Sequence, residues 1–191
     1  MLKENSGYTP KDLQFDDAGR LRLISGVRQM SQAVKSTLGP SGQTVLIESP
    51  NHTHGITVTK DGVTVAKAVD LVDPVENLAV RMMKEASDRT ASEAGDGTTT
   101  AIVLTEALVE HGYSCLGSTG VNKTAVLRHL TSLTRSVVTY LEGISEPLTD
   151  KRLLDVATIS SNNDSVVGGI IAKVYKAIGK DCVVTVEKSQ S

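Results

Sequence analysis

From Asp16 to Leu38 the apolar residues Leu21, Ile24, Val27, Met30, Val34 and Leu38 recur every three or four positions. That spacing predicts an amphipathic helix, which Gly39-Pro40 is expected to stop. Thr44-Val45-Leu46-Ile47 and Ile56-Thr57-Val58-Thr59 are short and rich in β-branched residues, and the polar stretch 49–55 between them predicts a hairpin. Lys60-Asp61-Gly62 reads as the turn out of it. Helical spacing returns at Pro74, a favourable first-turn residue behind the cap Asp73, and runs to about Ala94, where Gly95-Asp96-Gly97 breaks it. Further helices are predicted from Thr98-Thr99-Thr100 onward, through Ile102, Val103, Leu104, Leu108 and Val109. Others follow over residues 123–141 and, after Pro147, over 151–159 and 165–178. Residues 182–187 read as a strand with no evident partner before residue 191. Unpaired ladder groups are costly, so its partners are expected in sequence beyond that point. The predicted class is mainly α with a small β-hairpin.

Composition narrows the function. The 191 residues carry 20 Lys+Arg against 22 Asp+Glu, a net charge of −2, with a pI near 6.1 and a mean hydropathy of −0.07. A nucleic-acid binder is ordinarily basic, and aromatics at 3%, with no Trp and one Phe, supply few stacking platforms, so no nucleic-acid partner is expected. No apolar run is long enough to span a bilayer, so no membrane partner is expected either. Cys115 and Cys182 lie far apart without CxxC spacing, which argues against a disulfide framework or a zinc ribbon. The first 17 residues have no apolar h-region and carry acids, so a cytoplasmic location is expected.

The densest chemical signal is Gly95-Asp96-Gly97-Thr98-Thr99-Thr100. Three consecutive Thr are poor helix formers, but at a helix N-terminus their hydroxyls can cap amides or face a ligand. Flanking glycines expose backbone N–H groups, and the helix dipole favours an anion there, with phosphate as the natural guest. Asp96 beside a phosphate would repel it unless a divalent cation sat between them, which makes Asp96 a Mg²⁺-ligand candidate. The same residues are also compatible with a Gly-Asp-Gly turn and a Thr cap that bind nothing. Thr37-Leu38-Gly39-Pro40-Ser41-Gly42 reads either as a helix stop or as a second loop of amides around phosphate. Lys60-Asp61-Gly62 reads either as an ordinary turn or as a charged pair facing a nucleotide. No GxxxxGK[ST] and no helix-opening GxGxxG is present. His52-x-His54 has no third ligand nearby, and His111 and His129 have no nucleophile or acid at a suggestive spacing.

Four motifs nevertheless occur together and in order: TLGPSG at 37–42, VTKDGVTVAK at 58–67, AGDGTTTA at 94–101 and TISSNND at 158–164. On these the chain resembles group I chaperonins (GroEL-type) from Phe15 to Glu187, the Lys of KDG separating that type from one that usually carries Asn-Asp-Gly. Ser41 and Gln43 depart from the basic residues common after Gly-Pro, the loop at 49–55 is slightly longer than usual, and extra residues precede Phe15.

The resemblance implies an ATP-dependent chaperonin subunit, an ATP hydrolase whose cycle drives the folding of non-native polypeptides inside a ring. Thr37, Leu38, Gly39, Pro40, Lys60, Asp96, Gly97, Thr98, Thr99 and Thr100 match its ATP-binding positions. Asp96 matches the Mg²⁺ ligand, a K⁺ ion is expected near Thr37, Lys60 and Thr99, and Asp61 matches an auxiliary acid close to the attacking water. Residues 1–146 match the N-terminal half of the equatorial domain, a helical bundle. Residues 147–191 match the start of an α+β intermediate domain leading toward an apical domain. The implied partners are non-native polypeptides, other copies in a heptameric ring and a co-chaperonin. In the family the principal catalytic aspartate, the remaining adenosine contacts and the polypeptide-binding surface follow this point. The chain alone is therefore expected to be a poor ATPase, with the apolar faces at Val103, Leu104, Leu108, Leu130 and Leu133 partly exposed. The other reading is a naturally short or truncated chaperonin-like module that binds nucleotide or ring subunits without turnover.

Overall fold

The computed structural model describes residues 12–39, 41–48, 55–117, 120–179 and 183–185. The order of elements is α1 (Asp17–Lys35), β1 (Val45–Glu48), β2 (Ile56–Thr59), α2 (Gly62–Ala68), α3 (Pro74–Ala94), α4 (Thr98–Leu116), α5 (Lys123–Ile144), α6 (Asp150–Ser160) and α7 (Ser165–Ile178). It is a mainly helical architecture with one two-stranded antiparallel sheet, in which Val45 pairs with Thr59 and Ile47 with Thr57. The chain divides into two compact units, Met1–Lys123 and Thr124–Ser191.

In the first unit α1, α3 and α4 pack on one another, and α2 closes one end. Their shared core is Val27, Met30, Val34, Val65, Ala66, Ala79, Val80, Met83 and Ile102. Met30, Val34 and Val80 are completely buried, each worth about 1.5–3 kcal/mol relative to exposure. The helices α1 and α3 meet backbone to backbone at Gly26, where an added Cβ would lie 2.2 Å from the Glu76 carbonyl oxygen. Arg22 reinforces that contact by donating from Nε to Asp73 Oδ2 at 3.0 Å, and Gln29 Nε2 donates to Glu76 Oε2 at 2.8 Å.

In the second unit α6 and α7 pack at Gly168, where a Cβ would come within 2.7 Å of three Thr158 atoms, two of them backbone. The turn between these helices places Asn162 and Asn163 at positive φ. The helix α5 buries none of its own residues.

Three sequence expectations differ from what the structure shows. The helix α1 ends at Lys35 rather than at Leu38, because the hydroxyls of Ser36 and Thr37 donate back to the Ala33 and Val34 carbonyls, both at 2.8 Å, and tighten the last turn. The short helix α2 follows directly on Asp61, where the sequence pattern predicts only a turn. Residues 183–185 form no strand, and the rest of that expected strand lies outside the described residues. Pro40, His52, His54 and Cys182 also lie outside them. The apolar side chains of Leu104, Leu108, Leu130 and Leu133 are exposed, as expected, and Val103 is half-buried.

Candidate functional site

Past Lys35 the chain folds into a closed loop. The Thr37 amide donates to Val34 O at 3.0 Å, Leu38 N to Lys35 O at 3.1 Å, and Gln43 N reaches back to Ser36 O at 2.7 Å. Thr37 is thereby half-buried with its hydroxyl held over the end of α1, while Leu38 and Gly39 are exposed.

The hairpin delivers the second segment. Lys60 is exposed between β2 and α2. Asp61 caps α2: Oδ1 accepts from Val63 N at 3.3 Å, and Oδ2 accepts from Thr64 N at 3.0 Å and from Thr64 Oγ1 at 2.6 Å. Its carboxylate thus holds the helix that begins with Gly62. Gly62 is buried, and a Cβ there would lie 2.0 Å from Thr99 Oγ1 and 3.3 Å from Thr37 Oγ1. Hydroxyls from the loop after α1 and from the first turn of α4 therefore meet over one backbone position, a close approach that needs a residue without a side chain.

The third segment opens α4. Gly95 (φ 73°) and Gly97 (φ 85°) are both left-handed, and Gly97 stands at the N-cap without any side chain to satisfy the first amides. The helices α1, α2, α3, α6 and α7, by contrast, are capped by the side chains of Asp16, Asp61, Asp73, Thr149 and Asp164. Amides that no side chain among the described residues caps, at the positive end of a 19-residue helix, favour an anion. Thr98 turns into the protein at 6% exposure, Thr99 stands over Gly62, and Thr100 is exposed. Asp96 is exposed, with Oδ1 accepting from Gly97 N at 2.6 Å.

The residues present suit Mg²⁺ only in company with a phosphate. Among the described residues no group of three or more His, Cys, Asp or Glu could hold a metal by itself. Mg²⁺ is commonly held by one or two carboxylates together with substrate phosphates and several waters, and a lone exposed Asp96 beside free amides matches that donor set.

Behind the loops lies an ionic contact that the sequence did not disclose. Glu106 of α4, 8% exposed, accepts from Ser31 Oγ at 2.9 Å and pairs with Lys35 Nζ. Burial pushes the Glu106 carboxyl up, but the Lys35 ammonium and the Ser31 hydroxyl outweigh it and leave the group below its ordinary range. At the start of α3, the Glu76 amide and Arg22 hold the Asp73 carboxyl below its ordinary range.

A carboxyl whose folded pKa is lowered stabilises the fold above its unfolded pKa and loses that contribution as pH falls through the folded value. Unfolding of the chain is therefore expected to ease as pH drops below the ordinary carboxylate range of about 4. Thermal melts between neutral pH and pH 3 should show a shallower acid slope for Asp73→Asn than for wild type; parallel slopes would refute the coupling.

Of the residues singled out by sequence, Thr37 and Thr99 are brought together, and Lys60 and Asp61 adjoin Gly62, their meeting point. Asp96 and Gly97 sit on the turn that opens α4. In the sequence Gly62 reads only as a turn residue, and Glu106 carries no signal beyond a carboxylate one turn after Ile102 on a buried helix face.

Residues 30–190 match the model of the TCP-1/cpn60 chaperonin family. Among solved structures, the chain is similar to the chaperonin gp146 from the bacteriophage EL 2 (Pseudomonas aeruginosa), crystallised in the presence of ATP-BeFx. The identity is 30% and the TM-score 0.73, over 85% of this chain and 28% of that one. It is also similar to a group III chaperonin in the open state, at 28% identity and TM-score 0.68, over 84% of this chain and 32% of that one. The chain thus spans about a third or less of the length of these relatives. On the family match across most of its length, the chain belongs to the TCP-1/cpn60 chaperonin family.

Proposed function

We propose that this chain forms the phosphate-facing part of an ATP-dependent chaperonin subunit, in which ATP hydrolysis drives a ring assembly through the capture, enclosure and release of non-native polypeptide. The observation that carries this reading is the meeting of Thr37, Gly62 and Thr99 beside the uncapped start of α4. Phosphoryl transfer to water depends on positioning and charge stabilisation, and both are within reach of such loops. In this reading Thr37, Leu38, Gly39, Pro40, Lys60 and residues 96–100 bind ATP, Asp96 carries Mg²⁺, and Thr37, Lys60 and Thr99 surround a K⁺ ion. Asp61 assists near the attacking water while capping α2, and the principal catalytic aspartate lies outside this chain. The domain assignment keeps residues 1–146 as equatorial and 147–191 as the start of the intermediate domain. The Lys of KDG favours the group I type, whose resemblance implies a heptameric ring working with a co-chaperonin, and the acidic N-terminus without an apolar h-region favours the cytoplasm.

Gly62→Ala tests the reading. At the first position of α2 alanine is the better helix former, but its Cβ would force Thr99 out of its rotamer, so some stability should be lost and a thermal melt is run beside the titration to confirm that the variant is folded. With the Thr99 hydroxyl displaced, the affinity for Mg·ATP should fall about tenfold, or 1.4 kcal/mol. Calorimetric titration of both proteins measures this. Absence of Mg·ATP binding by the wild-type chain, or equal affinity in the variant, would overturn the assignment.

A further inference from the structure

We propose that Glu106 is a positioning residue that sets the register between the loop after α1 and the first turn of α4 through Ser31 and Lys35; its consequence for nucleotide binding rests on the function proposed above. The contacts between α1 and α4 run in opposite directions: Arg28 pairs with Glu110, while Ser31 and Lys35 pair with Glu106. The two helices are therefore antiparallel, and the end of α1 that leads to Thr37 lies beside the beginning of α4, where Thr99 stands. Lys35 is the last residue of α1. From it the chain is held through Leu38 N to Lys35 O and through both the amide and the hydroxyl of Thr37 to Val34 O, so Thr37 has little freedom to move independently of Lys35. On the other side Glu106 is joined to Thr99 by seven residues of continuous α-helix, about 10 Å long. Any slip of α1 along α4 at Glu106 is passed to the Thr37–Gly62–Thr99 contact.

Burial makes Glu106 suited to this. Ser31 is fully buried and Glu106 nearly so. A buried carboxylate that loses its partners is left uncompensated, whereas a hydrophobic contact tolerates sliding, so the ion pair prefers one register. The adjacent Arg28–Glu110 pair repeats the tie one turn farther from the site with a more exposed cation.

The test compares the wild-type chain with Glu106→Gln, Lys35→Met and the double variant, with Glu106→Met, of similar volume and apolar, as the variant that keeps the packing if the others fold poorly. Hydrogen exchange of the backbone amides is read separately for residues 36–43, for residues 97–101 and for the core of α1 and α3, and Mg·ATP affinity is measured alongside. In folded variants the exchange of residues 36–43 and 97–101 should rise about tenfold while the α1 and α3 core stays protected, and the double variant should be no worse than Glu106→Gln alone, since the two residues act as one unit. Unchanged loop exchange, or a uniform rise across loops and core, overturns the proposal and leaves Glu106 a purely stabilising residue. If the wild-type chain does not bind Mg·ATP, the nucleotide reading fails while the exchange data still decide the register.

Discussion

Gly26→Ala should be the most damaging single-methyl change in the first unit, costing at least about 3 kcal/mol. The added Cβ would sit 2.2 Å from the carbonyl oxygen of Glu76, 2.8 Å from its carbonyl carbon and 2.9 Å from its Cα. All three atoms are backbone, so no rotamer change relieves the overlap, which falls more than about 1 Å short of ordinary contact. The first turn of α3 would have to back away from α1, drawing Ala79, Val80 and Met83 off Val27, Met30 and Val34. Helix propensity acts the other way, by about 1 kcal/mol in favour of alanine, and is too small to compensate. Gly143→Ala on α5 is the control, because nothing lies within 4 Å of its would-be Cβ; propensity alone should then stabilise it slightly. Urea titrations of both variants should therefore move in opposite directions, and a Gly26→Ala protein as stable as wild type would show that the helices are not in contact at this point.

The extents of α3, β2 and α7 could be read from the sequence because each signal there is local. Asp73-Pro74 starts one helix, a β-branched run marks the strand, and in the structure Asp164 caps α7 through the Val166 and Val167 amides at 2.9 and 3.1 Å. The helix α2 was not legible. Its seven residues include Val63, Thr64 and Val65, which disfavour helix, and they are held by the Asp61 cap and by burying Val65 and Ala66 in the core. Tertiary packing decides such a segment.

The candidate site divides in the same way. Glycines flanking Asp96 and a Thr run at a helix start carry their own chemistry, so Asp96 and Thr99 are legible in the sequence, whereas Thr37 falls inside the predicted first helix and is marked only by the TLGPSG motif. The convergence of Thr37 and Thr99 on Gly62 is not legible, since it depends on how α1, α2 and α4 stack. Glu106 is harder still: along a sequence, a carboxylate on an apolar helix face looks the same whether it meets solvent or, as here, Ser31 and Lys35.

Asp96→Ala should reduce Mg·ATP affinity about 100-fold, or 2.7 kcal/mol, and in a complete subunit abolish turnover. The sign of the effect without metal is what identifies its cause. Beside the free amides at the start of α4, a carboxylate repels a bare triphosphate and attracts one only through a divalent cation. Wild type should therefore bind ATP much more tightly with Mg²⁺ than with a chelator present, whereas Asp96→Ala should show little difference and, under chelator, bind ATP at least as well as wild type. Stability should hardly change, because Asp96 is exposed and its hydrogen bond to the adjacent Gly97 amide is local. A turn residue that merely shaped the loop would behave otherwise: its loss would weaken binding equally with and without metal, since the amides that meet the phosphate would be misplaced in both cases. Titrations of the two proteins in Mg²⁺ and in chelator separate these outcomes, and a variant that keeps the full Mg²⁺ enhancement would remove Asp96 from the metal site.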